Sequence, residues 1–238
     1  MPDALALDSK EIEKKFGYAY AVRSVTLQVR RGEFVALFGS NGAGKTTFLK
    51  VAAGLMRPTK GKLSIEGHDV SAEAEQARRR IGFLSHNTFV YRDLSPLENL
   101  KFFCSLYGVS HSEERLLDIL RRVDLEQRAR EPVRAFSRGL QQRVGIARAL
   151  LHEPSVILLD EPYTGLDARA AQTLNSMLDE AVQAGKTVIL TTHDLEQGLR
   201  AATRAVILDR GKVVYDGSSK DGAVRQAYAR YIHGGEAH

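Results

Sequence analysis

The spacing of apolar residues changes several times along the chain, and each change predicts a different kind of element. Within the first 35 residues the pattern is that of β structure. It is clearest over Ser24–Val29, where alternation predicts a strand with one face in solvent. After a turn at Arg30–Gly32, residues Glu33–Phe38 form a nearly unbroken apolar run, which is typical of a strand buried on both faces. Lys62–Glu66 alternates again. The pattern in the first quarter of the chain therefore predicts an antiparallel β layer beside the start of a parallel sheet.

The middle of the chain has helical periodicity instead. Ser95-Pro96 is typical of a helix start, because serine caps free N–H groups and proline suits the first helical position; Gly108 marks the end. Ser112–Val123 carries leucines on one face and predicts a second helix, and a third is predicted from Arg138 to about Leu151. Residues 91–150 are therefore predicted to form a helical subdomain.

Buried strands return in the last third of the chain. Val156–Leu159, Val188–Thr192 and Ala205–Leu208 are short apolar runs, and the helix Ala168–Gln183 lies between the first two. Alternating strands and helices predict βαβ units with a parallel sheet. The predicted fold is an α/β domain with a mostly parallel sheet, an antiparallel β layer and a helical subdomain. The expected division is a catalytic core at 1–90 and 151–220, the subdomain at 91–150 and a C-terminal tail at 221–238.

Composition and charge narrow the possible partners. Of the 238 residues, 43% are apolar and 26% charged, which is ordinary for a globular protein. Lysine and arginine number 34 against 29 acidic residues, so the net charge is 34 − 29 = +5. That scattered excess suits anionic ligands or a membrane surface, and no nucleic-acid partner is expected. Cys104 is the only cysteine and lies in an apolar helical stretch, so we expect it in the core.

No segment of the sequence resembles an export signal or a membrane span. The N-terminus lacks a charged segment followed by an apolar one, and no stretch approaches the roughly 18 apolar residues that a membrane helix needs. We therefore expect a cytoplasmic protein. If it acts at the membrane, we expect it to lie on the inner face, bound to other chains that span the membrane.

The segment Gly39–Thr46 predicts a phosphate-binding loop. Its sequence, GSNGAGKT, fits the pattern G-x-x-x-x-G-K-[ST], follows a buried strand and precedes an apolar helix. Glycines let backbone N–H groups wrap around phosphate, and the helix N-terminus adds positive potential. Lys45 is expected to reach the β- and γ-phosphates of ATP, and the Thr46 hydroxyl to ligate Mg²⁺. The full predicted set is Gly39, Ser40, Asn41, Gly42, Ala43, Gly44, Lys45, Thr46 and Thr47.

An acidic pair at the end of a buried strand predicts hydrolysis. Asp160 is expected to hold Mg²⁺ through water, and Glu161, the next residue, to act as the general base for the attacking water. A helix cap or a surface ion pair would be the better interpretation if the phosphate loop were missing.

Three further segments resemble those of ABC ATPases. Phe136–Gln141, FSRGLQ, resembles their signature motif, usually Leu-Ser-Gly-Gly-Gln. Gly165–Asp167 follows Glu161 at the spacing of their D-loop, and Thr191–Asp194 follows a buried strand as their switch histidine does. The order and spacing agree over roughly residues 5–220.

The resemblance implies a head-to-tail dimer, with a second copy or with a paralogous ATPase subunit. Each ATP would lie between the loop of one subunit and Ser137 and Gly139 of the other. His193 would hydrogen-bond the γ-phosphate, and Asp167 would order the interface. Integral membrane permease subunits are the implied partners. Phe16 matches the aromatic residue that stacks on adenine; Tyr18 and core packing are the alternatives.

Two departures from the family pattern affect the expected site. Arg138 and Leu140 replace the signature's first glycine and its glutamine. His86 stands where the family has a glutamine that contacts Mg²⁺ and the attacking water. Mg²⁺ prefers oxygen ligands, so His86 is an uncertain metal-site residue: it could orient water, Asn87 could supply the amide oxygen, or His86 could have no role.

The same segments suggest a branch of the family. His86-Asn87, GSNGAGKTT and YRDLSPLENLKFF resemble the haem-exporter ATPase of cytochrome c maturation, whereas FSRGLQQR is shared with drug and polysaccharide exporters. We therefore expect an export-type ATPase. A soluble ABC ATPase acting on DNA or ribosomes would carry long insertions, zinc modules or a second ATPase half, and a mere nucleotide sensor would lack the base Glu161.

Overall fold

The antiparallel layer predicted from the first quarter of the chain is a four-stranded sheet. The computed structural model describes residues 4–85 and 87–233. The sheet comprises β1 (Leu5–Phe16), β2 (Ala19–Arg30), β4 (Lys60–Ile65) and β5 (His68–Asp69), in the order β2-β1-β4-β5. Val25, Leu27 and Val29 of β2 are buried, and the residues between them are exposed, as the alternation predicts.

The second sheet has six strands and positions the candidate site. It comprises β3 (Phe34–Phe38), β6 (Ile81–Leu84), β7 (Val156–Asp160), β8 (Thr187–Thr192), β9 (Arg204–Asp209) and β10 (Lys212–Ser218), in the order β10-β9-β3-β8-β7-β6. All neighbours are parallel except β9 and β10, which are antiparallel. Every residue of β3, β7 and β8 is buried, because the antiparallel sheet and the helix Lys45–Ala52 pack on one face and most of the other helices pack on the opposite face.

Eight α-helices lie among the described residues. They are α1 (Lys45–Ala52), α2 (Ala74–Arg79), α3 (Pro96–Tyr107), α4 (Glu113–Arg122), α5 (Arg138–Leu150), α6 (Ala168–Gln183), α7 (Leu195–Ala201) and α8 (Gly222–Tyr228). The start of α3 is confirmed: the Ser95 hydroxyl accepts from the Glu98 N–H, and the Glu98 carboxylate accepts from the Ser95 N–H. Short 3-10 turns occupy Glu126–Arg128 and Val133–Ala135, and a π-turn occupies Ala229–His233.

Five of these strands and α-helices were not predicted: β5, β6, α2, α7 and α8. All have at most seven residues, too few to display a period. The helix α8 lies in the segment predicted only as a tail, and its Val224 and Tyr228 are buried. Cys104 is buried in α3, as expected. No helix of the described residues is long and apolar enough to cross a membrane.

Candidate active site

The predicted catalytic residues follow three neighbouring strands at the same edge of the sheet. β8 pairs with β3 on one side and with β7 on the other, all in parallel. The loop Gly39–Gly44 therefore lies beside Asp160 and Glu161, at the end of β7, and beside His193, directly after β8. The carboxyl edge of a parallel sheet is the usual ligand site of such folds.

The loop folds too tightly to accept side chains at two of its glycines. A Cβ at Gly44, whose φ is +104°, would lie 2.2 Å from the carbonyl oxygen of Ala21; one at Gly39 would lie 2.5 Å from that of Leu208. A cavity of about 270 Å³ opens inside the loop. It is lined by Ala21, Ser40, Asn41, Gly42, Ala43, Gly44, Lys45, Thr46, Thr47 and Glu161. Its size and the glycine-rich loop that lines it fit phosphate groups.

The ammonium of Lys45 faces this cavity. Its side chain is 6% exposed, and Nζ donates to the carbonyl oxygens of Gly39, at 2.7 Å, and Ser40, at 3.2 Å. Burial lowers the pKa of Lys45, while the carboxylates of Glu161 and Asp160 act to raise it. Glu161 Oε1 lies 3.8 Å from Nζ. A cation held only by two backbone carbonyls and a distant carboxylate can exchange them for phosphate oxygens.

Thr46 and Asp160 present oxygen atoms to one point beside the loop. Thr46 Oγ1 donates to Asp160 Oδ1 at 2.8 Å, and Thr191 Oγ1 donates to the same oxygen at 2.8 Å. No cluster of three or more His, Cys, Asp or Glu suited to a metal occurs in residues 4–85 and 87–233. Mg²⁺ usually takes one or two protein oxygens and completes its shell with phosphate and water, so the pair Thr46 and Asp160 fits it. Thr191 was not predicted as a site residue. The signal that could have indicated it is its position as a polar residue near the end of an apolar strand.

Glu161 and His193 form a hydrogen-bonded pair at the mouth of the cavity. His193 Nδ1 lies 2.9 Å from Glu161 Oε2, and their side chains are 68% and 22% exposed. Glu161 has a φ of +50°, in the left-handed region that non-glycine residues rarely adopt. Its N–H donates to the Thr191 carbonyl oxygen at 3.1 Å, which holds the strained backbone to β8. The sheet thus fixes a carboxylate that points into the space before the phosphate loop.

The signature segment lies apart from this cavity. Ser137 is exposed and caps α5, its hydroxyl accepting from the Leu140 N–H at 3.4 Å. A Cβ at Gly139 would lie 2.9 Å from the carbonyl oxygen of Gly165, so the signature packs directly on the predicted D-loop. Asp167 caps α6 by accepting from the Ala170 N–H at 2.7 Å. The cavity lining includes neither signature residue.

The other predicted site residues either do not line the phosphate-loop cavity or lie outside the residues that the structure describes. Phe16 is 53% exposed and Tyr18 is fully exposed, so core packing is wrong for both. Lys14 Nζ lies 5.4 Å from the centre of the Phe16 ring, and neither aromatic lines the cavity. His86 lies outside the described residues. Asn87 Oδ1 accepts from the Phe89 N–H at 3.4 Å.

Comparison with known proteins agrees with this geometry. The sequence model of the ABC transporter family matches residues 22–164. The Nod factor export ATP-binding protein I of Cupriavidus pinatubonensis is 36% identical over 90% of this chain and 67% of its own length. The daunorubicin resistance ATP-binding protein DrrA3 of Streptomyces coeruleorubidus is 37% identical over 88% of this chain and 67% of its own.

A solved structure extends the likeness to the fold. A dimeric ATP-binding cassette in a post-hydrolysis state, bound to ADP and Pi, matches with a TM-score of 0.83 and 30% identity. The match covers 90% of this chain and 99% of that one. The phosphate loop, the acidic pair and the family match all agree. The chain therefore belongs to the ABC transporter family, as an ATP-binding subunit with ATPase activity.

Proposed function

We propose that the chain drives an export-type ABC transporter by closing head to tail, with a second copy or a paralogous subunit, around two ATP molecules. The incomplete site carries this proposal. Lys45 and Glu161 line the cavity, and Asp160 and His193 bond to its lining residues Thr46 and Glu161. The signature serine is exposed and lines no part of the cavity. A dimer would supply Ser137 and Gly139 from the facing subunit at the start of α5, where a helix N-terminus favours the γ-phosphate.

In this proposal Glu161 is the general base. The water oxygen bonds to the γ-phosphorus, its proton passes to a Glu161 carboxylate oxygen, and the bond to the β-phosphate oxygen breaks. Lys45 stabilises the charge that develops on the phosphates. His193, bonded to Glu161 at 2.9 Å, holds the carboxylate and the water in line. Mg²⁺ at Thr46 and Asp160 would neutralise phosphate charge.

The proposal of transport rests on the names of the relatives. The proposal of separate membrane subunits accords with the described helices, none of which is long and apolar enough to span a membrane. The two relatives are named for Nod factor export and daunorubicin resistance, which favours export of a drug or of a cargo resembling a Nod factor. Separate integral membrane subunits would supply the span, and the chain would lie on the inner face of the membrane. The region 91–150, with the signature at its end, would be the helical subdomain. Haem export stays a prediction based on His86-Asn87 and the quoted segments.

The substitution Glu161→Gln tests the hydrolysis and the dimer together. Turnover should fall by roughly 10²-fold or more, because no base accepts the proton of water, while ATP binding is kept. Light scattering should then detect an ATP-dependent dimer. Glu75→Gln, at an exposed glutamate of α2, is the matched control and should behave as wild type. Near wild-type turnover by Glu161→Gln would contradict the assigned base, and an ATP-bound monomer would contradict the proposed closure.

A further inference from the structure

The C-terminal helix α8 contacts the segment that carries His193. The phenol oxygen of Tyr228, the last residue of α8, donates to the carbonyl oxygen of His193 at 2.6 Å. The Tyr228 side chain is 7% exposed. The bond is part-buried and joins the end of α8 to the backbone of the residue that faces Glu161.

The ring of Tyr228 also packs under the phosphate loop. It meets Phe38 edge to face, with ring centroids 5.9 Å apart and planes at 88°, a favourable geometry for two aromatic rings. Phe38 is the last residue of β3 and directly precedes Gly39. Tyr228 thus contacts the strand end that begins the phosphate loop and, through its hydroxyl, the strand end that presents His193.

A second contact joins α8 to α7, the helix that follows His193. Arg225 of α8 forms an ion pair with Glu196 of α7, with Nη2 3.1 Å from Oε2. Gly198 of α7 packs against the Phe38 ring so closely that a Cβ would lie 2.5 Å from Cε1. The segment from His193 through α7 is therefore held between β3 and α8.

We infer that Tyr228 is a positioning residue for hydrolysis, whose hydroxyl fixes the backbone of His193 so that the imidazole meets Glu161. The inference rests on the proposed role of His193. Nδ1 and Oε2 are 2.9 Å apart in a side-chain pair of which the histidine is 68% exposed. A ring that is 68% exposed depends for its orientation mainly on this hydrogen bond and on its own backbone. Its orientation therefore depends on the backbone that Tyr228 anchors.

The test replaces only the hydroxyl, in the full chain. Tyr228→Phe keeps the ring on Phe38 and removes the bond to His193. Tyr215→Phe is the matched control, because its hydroxyl donates to the Ser218 carbonyl oxygen, at 3.4 Å, and contacts no catalytic residue. Steady-state hydrolysis is measured together with the NMR signals of ¹³C-labelled histidine, and His193→Ala identifies the signal of His193.

We expect Tyr228→Phe to lower kcat by roughly three- to tenfold, with KM for ATP within about twofold, because a displaced group affects the chemical step and not the binding of phosphate. The signal of His193 should shift or broaden before any nucleotide is added. Tyr215→Phe should change neither quantity.

Two outcomes would overturn the inference: an unchanged His193 signal in Tyr228→Phe, or a wild-type kcat despite a shifted signal. Full activity of His193→Ala would instead remove the proposed role of His193. The NMR comparison still reports whether Tyr228 orients that residue, so the two failures are distinguishable.

Discussion

Lys45 and Arg148 are both buried cations, and their surroundings differ. Lys45 is 6% exposed at the phosphate loop; Arg148, in α5, is 5% exposed beneath a cluster of aromatic side chains. Lys45 Nζ has two backbone carbonyls and, at 3.8 Å, one carboxylate oxygen, in a cavity of about 270 Å³ that the phosphate loop lines. Its contacts leave room for an anion.

Arg148 has a different set of neighbours. Its guanidinium donates to the Phe83 carbonyl oxygen and, at 3.4 Å, to the Tyr107 hydroxyl. Its central carbon lies 5.3 Å from the ring centre of Phe103 and 5.8 Å from that of Phe89. Burial lowers the pKa of Arg148, against an opposing effect of Tyr107. Carbonyl, hydroxyl and ring faces contact the charge and join α5 to β6 and α3, while the buried Nε has no hydrogen-bond partner among the described residues.

The difference teaches how to separate a functional cation from a structural one. Equal burial of the two side chains does not indicate whether a cation binds a ligand or stabilises the fold. Both cations line a cavity, of about 270 Å³ at Lys45 and about 230 Å³ at Arg148. The cavity at Lys45 is formed by the phosphate loop, whereas the cavity at Arg148 is lined mostly by apolar and aromatic side chains that do not suit an anion. Arg148 is therefore the cation that stabilises the fold. Substitution of Lys45 should therefore lower ATP turnover, and substitution of Arg148 should lower the free energy of unfolding.

The largest effect is expected for Lys45→Ala. ATP turnover should fall by roughly 10²- to 10³-fold, because a preorganised donor to the developing phosphate charge is lost. The free energy of unfolding should change by less than about 1 kcal/mol, since the removed ammonium was itself costly to bury. Turnover assays and urea unfolding measure the two quantities. Lys50→Ala, in the same helix, is the control, and a large loss of stability in Lys45→Ala would contradict the comparison.

A smaller effect of the opposite kind is expected for Arg148→Met. The substitution keeps apolar volume under the rings but leaves the Phe83 carbonyl oxygen without this donor and removes the cation–π contacts with Phe89 and Phe103. The free energy of unfolding should therefore fall by about 3 kcal/mol. ATP affinity per folded molecule should stay within about threefold of wild type. Urea unfolding and nucleotide titration check both values, with Arg122→Met at the surface as the control. Unchanged stability would show that Arg148 is not structural.

The sequence predicts Lys45 and fails to predict Arg148 for one physical reason. The environment of Lys45 is made mostly by its own loop, so the local pattern Gly39–Thr46 contains it. The environment of Arg148 comes from Phe83 and Tyr107, more than 40 residues away, and no spacing along the chain indicates that meeting. Long elements such as α3 were predicted by their caps, whereas α8 and its Tyr228 were not, because a helix of seven residues is too short to show a clear period.

The neighbour of Arg148 in this region is His152, which is also held away from water. Its Nε2 donates to the Ile81 carbonyl oxygen at 3.0 Å, its ring stacks on Tyr107 with centroids 4.0 Å apart, and its buried Nδ1 has no hydrogen-bond partner in the described structure. Desolvation, together with the charges of Arg148 and Lys186 and against the Ile81 bond, lowers the pKa of His152 from 6.5 to about 4. The neutral imidazole is therefore the form that the fold contains.

This lowered pKa predicts a loss of stability in acid, the smallest of the three effects. Because the unfolded chain protonates near pH 6.5 and the folded chain near 4, the contribution is complete above pH 6.5 and is lost as the pH falls from 6.5 to 4. Wild type should lose about 2 to 3 kcal/mol more than His152→Gln across that range. Urea unfolding at several pH values measures this difference, in which the shared carboxylates cancel. Arg148→Met should reduce it, since one charge that disfavours protonation is gone. The prediction is contradicted if wild type and His152→Gln lose equal stability in acid, or if the NMR signal of His152 titrates near pH 6.5. Either result would mean that water reaches His152 beside Arg148 in the folded protein.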